Sequence, residues 1–299
     1  MDPALIGFGL GVGALVGMTG IGGGSLMTPL LILAFGVTPV TAVGTDLSYA
    51  AVTKTVGGWK HWRQGTVDAP LSIWMAFGSV PAALTGVYVL ERLERAYGQG
   101  FDDLLLTLLG AALLLCGAGT LARSLLKRFH KRERDVLRLE ARHKAAAVVL
   151  GAFVGFVLGV TSAGSGALIA VGLILIFRLV PARVVGTDIF HAAMLLWVAA
   201  GAHIAVGNVD FLLAANILIG SVPAVWLGSH VSVRMPVAAL RTTLAVVLVA
   251  SGVALLAKAG TGLPGAAVVP FPVAVLALII WTTARARRRA AAFRPVPPR

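Results

Sequence analysis

The chain has 299 residues, 58% hydrophobic and only 12% charged, with a mean hydropathy of +0.91. Ordinary soluble domains carry about a quarter charged residues, so this chain lacks the polar surface to cover a globule in water. Its formal net charge is nevertheless +13, which leaves two readings: a nucleic-acid binder, or a membrane protein whose basic residues face one side.

The position of the charge decides between them. Residues 123–144 carry a net +6, and the tail 285–299 carries another +6. Both patches sit directly beside long apolar runs. That is the positive-inside pattern, not a basic face spread over a fold, so a nucleic-acid partner is excluded. Cys116 is the single cysteine and lies in an apolar run, which rules out an internal disulfide framework or a thiolate metal site. Met1-Asp2-Pro3 lacks a basic n-region, so the first apolar segment reads as a retained helix, not a cleaved signal.

A bilayer core takes about 20 apolar residues per helix. In chain order the apolar segments are 4–20, 24–37, 40–60, 69–90 and 103–122, then 145–162, 165–178, 183–206, 211–232, 237–257 and 267–284. The second and seventh are short and read as half-helices or re-entrant segments. The loops set the orientation. The segments around Lys60 to Arg63, 123–144, Arg178 to Arg183, Arg234 to Arg241 and the tail belong in the cytoplasm. The acid-containing loop 91–103 and the turn at Gly207-Asn208 belong outside. Alternate threading satisfies every loop when the N-terminus is outside and all eleven segments cross.

A shift of 142 residues aligns Gly9–Val89 with Gly151–Val231 without a gap, and 32 of the 81 positions are identical. Gly9, Gly13 and Gly17 match Gly151, Gly155 and Gly159. Gly44-Thr45-Asp46 matches Gly186-Thr187-Asp188, and His61 matches His203. Gly78-Ser-Val-Pro-Ala82 matches Gly220-Ser-Val-Pro-Ala224. Internal repetition of this kind marks a duplicated architecture. Five segments per copy is an odd number, so the second copy enters the membrane inverted. Inverted repeats recur in secondary transporters, with the substrate site between the copies.

The expected fold is therefore all-α, a polytopic integral membrane protein of two inverted helical repeats. Residues 1–122 form the first repeat, 123–144 a basic cytoplasmic loop, and 145–257 the second repeat. Residues 258–299 add a further helix and a basic tail.

Several of these residues resemble the TauE/SafE sulfite exporter family of membrane transporters (4-toluene sulfonate uptake permease-like). The resemblance is carried by Gly20-Ile-Gly-Gly-Gly-Ser25, by Gly44-Thr45-Asp46, by the duplicated halves and by the basic central loop, and it covers about residues 5 to 257. The second copy departs from the triple glycine, reading Thr161-Ser-Ala-Gly-Ser-Gly166. The resemblance implies transport of sulfite, organosulfonates or similar small anions, by export.

The candidate site follows from the breaks. Thr19, Gly22, Gly23, Gly24 and Ser25 interrupt one apolar run, and Thr161, Ser162, Gly164, Ser165 and Gly166 interrupt its counterpart. Helix N-termini after such breaks present free N–H groups and a positive dipole end, which bind anions without a formal charge. Glycines spaced by four, as in Gly9-Gly13-Gly17, read instead as close helix packing. Thr45 and Thr187 bond either substrate or the preceding turn. Asp46 and Asp188 lie inside spans, where a carboxylate is costly; they serve either proton coupling and gating or helix capping. Lys54 pairs with an acid, attracts the anion or snorkels to the interface; its counterpart is Leu196. His191, three residues after Asp188, is either a proton relay or a hydrogen-bonded core histidine. His61 and His203 read as interface residues, and Asp68 and Asp210 as helix N-caps.

The few ionisable residues within the spans are spread over symmetric positions and do not cluster, so no enzyme activity and no cofactor or metal are expected; no nucleotide motif is present, so an ion gradient would drive transport across the cytoplasmic (inner) membrane. Partners are the small anion and membrane lipid, with a homodimer also compatible. A cation or neutral-solute transporter or channel using Asp46 and Asp188 is the alternative.

Overall fold

A computed structural model of the chain describes residues 2–19, 24–126, 139–232 and 237–260. Ten α-helices run through them: α1 (Pro3–Thr19), α2 (Gly24–Ala34), α3 (Pro39–Arg63), α4 (Ala69–Tyr97), α5 (Phe101–Leu126), α6 (Ala141–Thr161), α7 (Leu168–Leu175), α8 (Pro181–Ala205), α9 (Phe211–Ser232) and α10 (Val237–Lys258). Each of the first ten apolar segments yields one helix. Both ends of the basic segment 123–144 are helical, since α5 runs to Leu126 and α6 starts at Ala141. The apolar segment 267–284 and the basic tail lie outside the described residues.

The burial pattern is turned inside out. Large apolar side chains face outward, among them Val56 (72% exposed), Val149 (69%) and Leu212 (69%). Asp46, Lys54, Asp188, His191 and His203 are buried. Water would not tolerate that distribution, and hydrocarbon favours it. Helices α4, α5, α6 and α8 are each long and apolar enough to cross a bilayer.

Glycine positions fix the packing. A Cβ on Gly9 would collide with the Ile217 carbonyl, and one on Gly151 with the Met75 carbonyl. Gly13 meets Ser221 as Gly155 meets Ser79. These contacts repeat at the 142-residue shift, and they seat α1 against α9 and α6 against α4. Partner numbers rise together, so each of these pairs is parallel. In α3 and α8 the numbers run oppositely: Thr55 bonds Trp197 at 2.9 Å, while Trp62 stacks on Phe190. That pair is antiparallel. So are α5 and α10, where Gly110 faces Leu256 and Gly117 faces Val249.

The two short helices agree with the half-helix reading of their segments. At about 1.5 Å per residue, α2 (11 residues) and α7 (8 residues) extend about 16 and 12 Å, well short of a bilayer core of about 30 Å. They do not cross as helices. The chain still returns. Gly164 sits beside Val157, Gly172 beside Leu150, and the Phe177 ring lies 6.5 Å from the His143 ring. The link, α7 and its extended tail thus run back along α6 to its first turn. At the other end of the sequence, Phe35, just past α2, packs on Phe8 near the start of α1 with ring centroids 4.8 Å apart.

Candidate functional site

The break between α6 and α7 builds the site. Helix α6 ends at Thr161, and Ser162 closes it in a left-handed conformation, φ 56°, donating its N–H to the Leu158 carbonyl at 2.8 Å. A non-glycine residue there costs about 1–2 kcal/mol, so something must hold it. Gly164 (φ 118°) and Gly166 (φ 93°) carry the chain through turns closed to other residues. Every residue from Leu158 to Ala170 is buried. This is irregular backbone enclosed by protein, a setting in which a membrane segment tolerates it.

Three helices reach the break. From α3, Asp46 Oδ2 accepts from Ser162 Oγ at 2.9 Å and from Thr28 Oγ1 of α2 at 2.7 Å. The two hydroxyls are themselves 2.7 Å apart. Ser162 thereby gains the bond that holds its strained backbone. Asp46 is fully buried, and its Oδ1 has no hydrogen-bond partner among the described residues. Two turns further along α3, Lys54 Nζ donates to Ser165 Oγ at 2.9 Å. From α8, Asp188 Oδ1 accepts the Gly166 amide at 3.1 Å. Lys54 and Asp188 therefore bond adjacent residues of the break, Ser165 and Gly166.

The expected residues therefore separate. Asp46, Lys54, Ser162, Ser165, Gly166 and Asp188 come together around the break, with Gly164 shaping the turn. Thr161 bonds back to the Val157 carbonyl at 2.6 Å. Thr45 and Thr187 bond the opposite half and not the preceding turn. Thr187 Oγ1 accepts the Asp68 amide at 2.9 Å, and Thr45 Oγ1 accepts the Asp210 amide at 3.0 Å. Each threonine ties its helix to the opposite half. Asp68 and Asp210 are N-caps as expected, accepting from Leu71 at 3.1 Å and from Leu213 at 2.9 Å.

His191 turns toward α4, its Nε2 3.1 Å from Ser79 Oγ. This is the core-histidine geometry, and it does not bond His191 to Asp188. His203 overturns its interface reading: it is fully buried, with Nε2 3.1 Å from the Gly159 carbonyl. The helix end it occupies lies against α6, which the sequence could not reveal. The side chains of Thr19 and Ser25, and the glycines Gly22 and Gly23 of the first break, lie outside what is described, while Gly24 opens α2. Thr28 was not anticipated. Its signal was present: a hydroxyl in an apolar helix, with Ala170 as counterpart.

The comparisons agree with this architecture. The model of the family described as sulfite exporter TauE/SafE matches residues 5–255. "Probable membrane transporter protein YjnA" of Bacillus subtilis is 40% identical over 256 residues, which is 86% of this chain and 100% of that protein. "Probable membrane transporter protein YdhB" of the same organism is 26% identical over 245 residues, 82% of this chain and 96% of that one. No solved structure matches. Outward-facing apolar helices around a buried polar break, together with a family match across both halves, make this chain a multi-pass membrane transporter that belongs to the sulfite exporter TauE/SafE family.

Proposed function

We propose that the protein is a secondary active transporter of the cytoplasmic membrane that exports a small anion, sulfite or an organosulfonate, with proton coupling. The observation that carries the anion reading is the placement of Lys54. It is a buried cation hydrogen-bonded to a hydroxyl of the α6–α7 break. A cation held inside a membrane protein marks a ligand or ion path. The Ser162 and Ser165 hydroxyls and the backbone of the break add neutral polar groups, suited to a small oxyanion. The family description, sulfite exporter, supports both the substrate and the direction.

The alternating-access part of the reading rests on helix direction. Between the halves, α1 packs parallel to α9 and α6 parallel to α4, while the counterpart pairs α3 with α8 and α5 with α10 pack antiparallel. Two halves inserted in opposite orientation require those four relations. Such halves can exchange roles between inward-open and outward-open states.

The competing reading is a cation carrier using Asp46, and the oxygen cluster of Asp46, Thr28 and Ser162 is its basis. Those oxygens stand 2.7–2.9 Å apart, the spacing of hydrogen bonds, which suits a proton better than a larger ion.

The test is flux of labelled sulfite in vesicles holding the purified full chain. Saturable efflux, stimulated by counter-substrate and by a pH gradient, is expected. Sulfite flux that stays linear with concentration would make the protein a channel. Flux that follows a sodium gradient and ignores pH would establish the cation reading.

A further inference from the structure

Sequence repetition makes Asp46 and Asp188 counterparts, yet the structure surrounds them differently. Asp46 faces two hydroxyls, Thr28 and Ser162. Their counterparts are Ala170 and Gly20, so the repeat equips Asp188 with neither. Asp188 instead accepts the Gly166 amide, next in the chain to Ser165, which takes the Lys54 ammonium; the counterpart of Lys54 is Leu196. We propose that Asp46 alone binds and releases the coupling proton, one per cycle, while Asp188 stays ionised as the fixed counter-ion of Lys54. The link to flux rests on the transport reading above; the proton assignment itself does not.

Hydrogen counting carries the first half. Asp46 Oδ2, Thr28 Oγ1 and Ser162 Oγ form a triangle with edges of 2.7, 2.9 and 2.7 Å. Oxygens that close need a hydrogen on each edge. Two hydroxyls supply two hydrogens. With Asp46 ionised, one edge is a bare contact between lone pairs. With Asp46 protonated, its O–H supplies the third hydrogen and the ring closes, each oxygen donating once. Deprotonation therefore has to open the triangle, parting α2 from α3 or α3 from the break. Proton release is coupled to helix movement by that geometry.

Charge counting carries the second half. The cluster holds two acids and one base. Lys54 balances one carboxylate, and a second buried carboxylate without a counter-charge is costly. The Gly166 N–H can only donate, so the Asp188 oxygen facing it must accept, which suits an ionised group beside a cation. Among the described residues, the other buried ionisable side chains on the packed helices are Tyr49 on α3, Cys116 on α5, and His191 and His203 on α8, whose Nε2 atoms lie at Ser79 and at the Gly159 carbonyl. Helix α2 brings none. In the step proposed, water on the open side gives a proton to Asp46 Oδ2, and after the switch that O–H bond returns the proton to water on the other side.

The experiment uses the full chain in lipid vesicles. Infrared difference spectra between low and high pH should show a protonated-carboxyl C=O band. That band should vanish in Asp46→Asn, persist in Asp188→Asn and shift its midpoint in Thr28→Val. With sulfite as probe, Asp46→Asn should lower pH-driven accumulation by about tenfold or more, while sulfite exchange continues more slowly and without pH dependence. A band that survives Asp46→Asn, or vanishes in Asp188→Asn, overturns the proposal. A wild-type protein that moves no sulfite but shows the expected band pattern ends the substrate reading and supports the proton site.

Discussion

Lys54 Nζ and Ser165 Oγ lie 2.9 Å apart, although 111 residues separate them in sequence. This contact joins α3 of one half to the break of the other, and it exists in one half only, because the Lys54 counterpart is Leu196. In the anion-transport reading proposed above, this contact selects the sign of the substrate. Lys54→Met should raise the sulfite concentration for half-maximal flux by at least about tenfold, as expected for loss of a charge-assisted bond worth about 1.5–3 kcal/mol.

The same substitution strands Asp188. Removing one partner of a buried pair costs about 3–5 kcal/mol, because the remaining charge has no counter-ion. Lys54→Met should therefore melt earlier than wild type. Adding Asp188→Asn should recover much of that loss without restoring sulfite affinity. Thermal unfolding of the two variants in detergent checks this. A double variant no more stable than Lys54→Met would show that Asp188 is not the counter-ion.

Thr45 and Thr187 offer a structural control. Each accepts the amide that opens a helix of the opposite half. Valine keeps the shape and deletes the acceptor, leaving a buried N–H unpaired at about 1–3 kcal/mol. Thr187→Val, whose bond is the more buried, should be the costlier of the two. Half-saturation for sulfite should stay unchanged in both. A selective loss of affinity would return these threonines to the substrate site.

What the sequence revealed, and what it hid, follows from the range of the interactions. Helices α1 to α10 could be read from hydropathy because the solvent requirement is local. The α6–α7 break could be read from Gly164 and Gly166, since backbone conformation is also local. The partners could not. Thr187 and Asp68 are 119 residues apart and Thr28 and Ser162 are 134 apart, and one sequence records no such pairing. His203 was misplaced for that reason: being near a helix end says nothing about which helix covers that end. Repetition revealed more than periodicity did, because two of the positions where the copies differ in polarity, Thr28 with Ala170 and Lys54 with Leu196, are gathered at the break.

The glycine contacts separate packing from plain tolerance. On α1, a Cβ on Gly9 or Gly13 would enter the α9 backbone, whereas Gly7 and Gly11 meet nothing within 4 Å. Gly13→Ala should lower stability by about 1–3 kcal/mol, the usual cost of overpacking. Gly11→Ala should be neutral or raise stability by up to about 1 kcal/mol, since alanine is the better helix former. Equal melting temperatures for the two variants would show that α1 does not sit against α9.

Opposite orientation of the halves can be tested at matched positions. Gln64 and Val206 are counterparts at the 142-residue shift, and both are exposed at helix ends. Cys116 is the single cysteine and is buried, so Cys116→Ala gives a background without thiols at modest cost. On that background, Gln64→Cys should react with an impermeant maleimide only from the cytoplasmic side, and Val206→Cys only from the outside. The charge of the loops already points this way: Lys60, His61 and Arg63 precede Gln64, while His203 is the sole ionisable residue in the last turn before Val206. Labelling of both cysteines from one face would place the halves in the same orientation. The parallel packing of α4 with α6 and of α1 with α9 would then need a different explanation from alternating access.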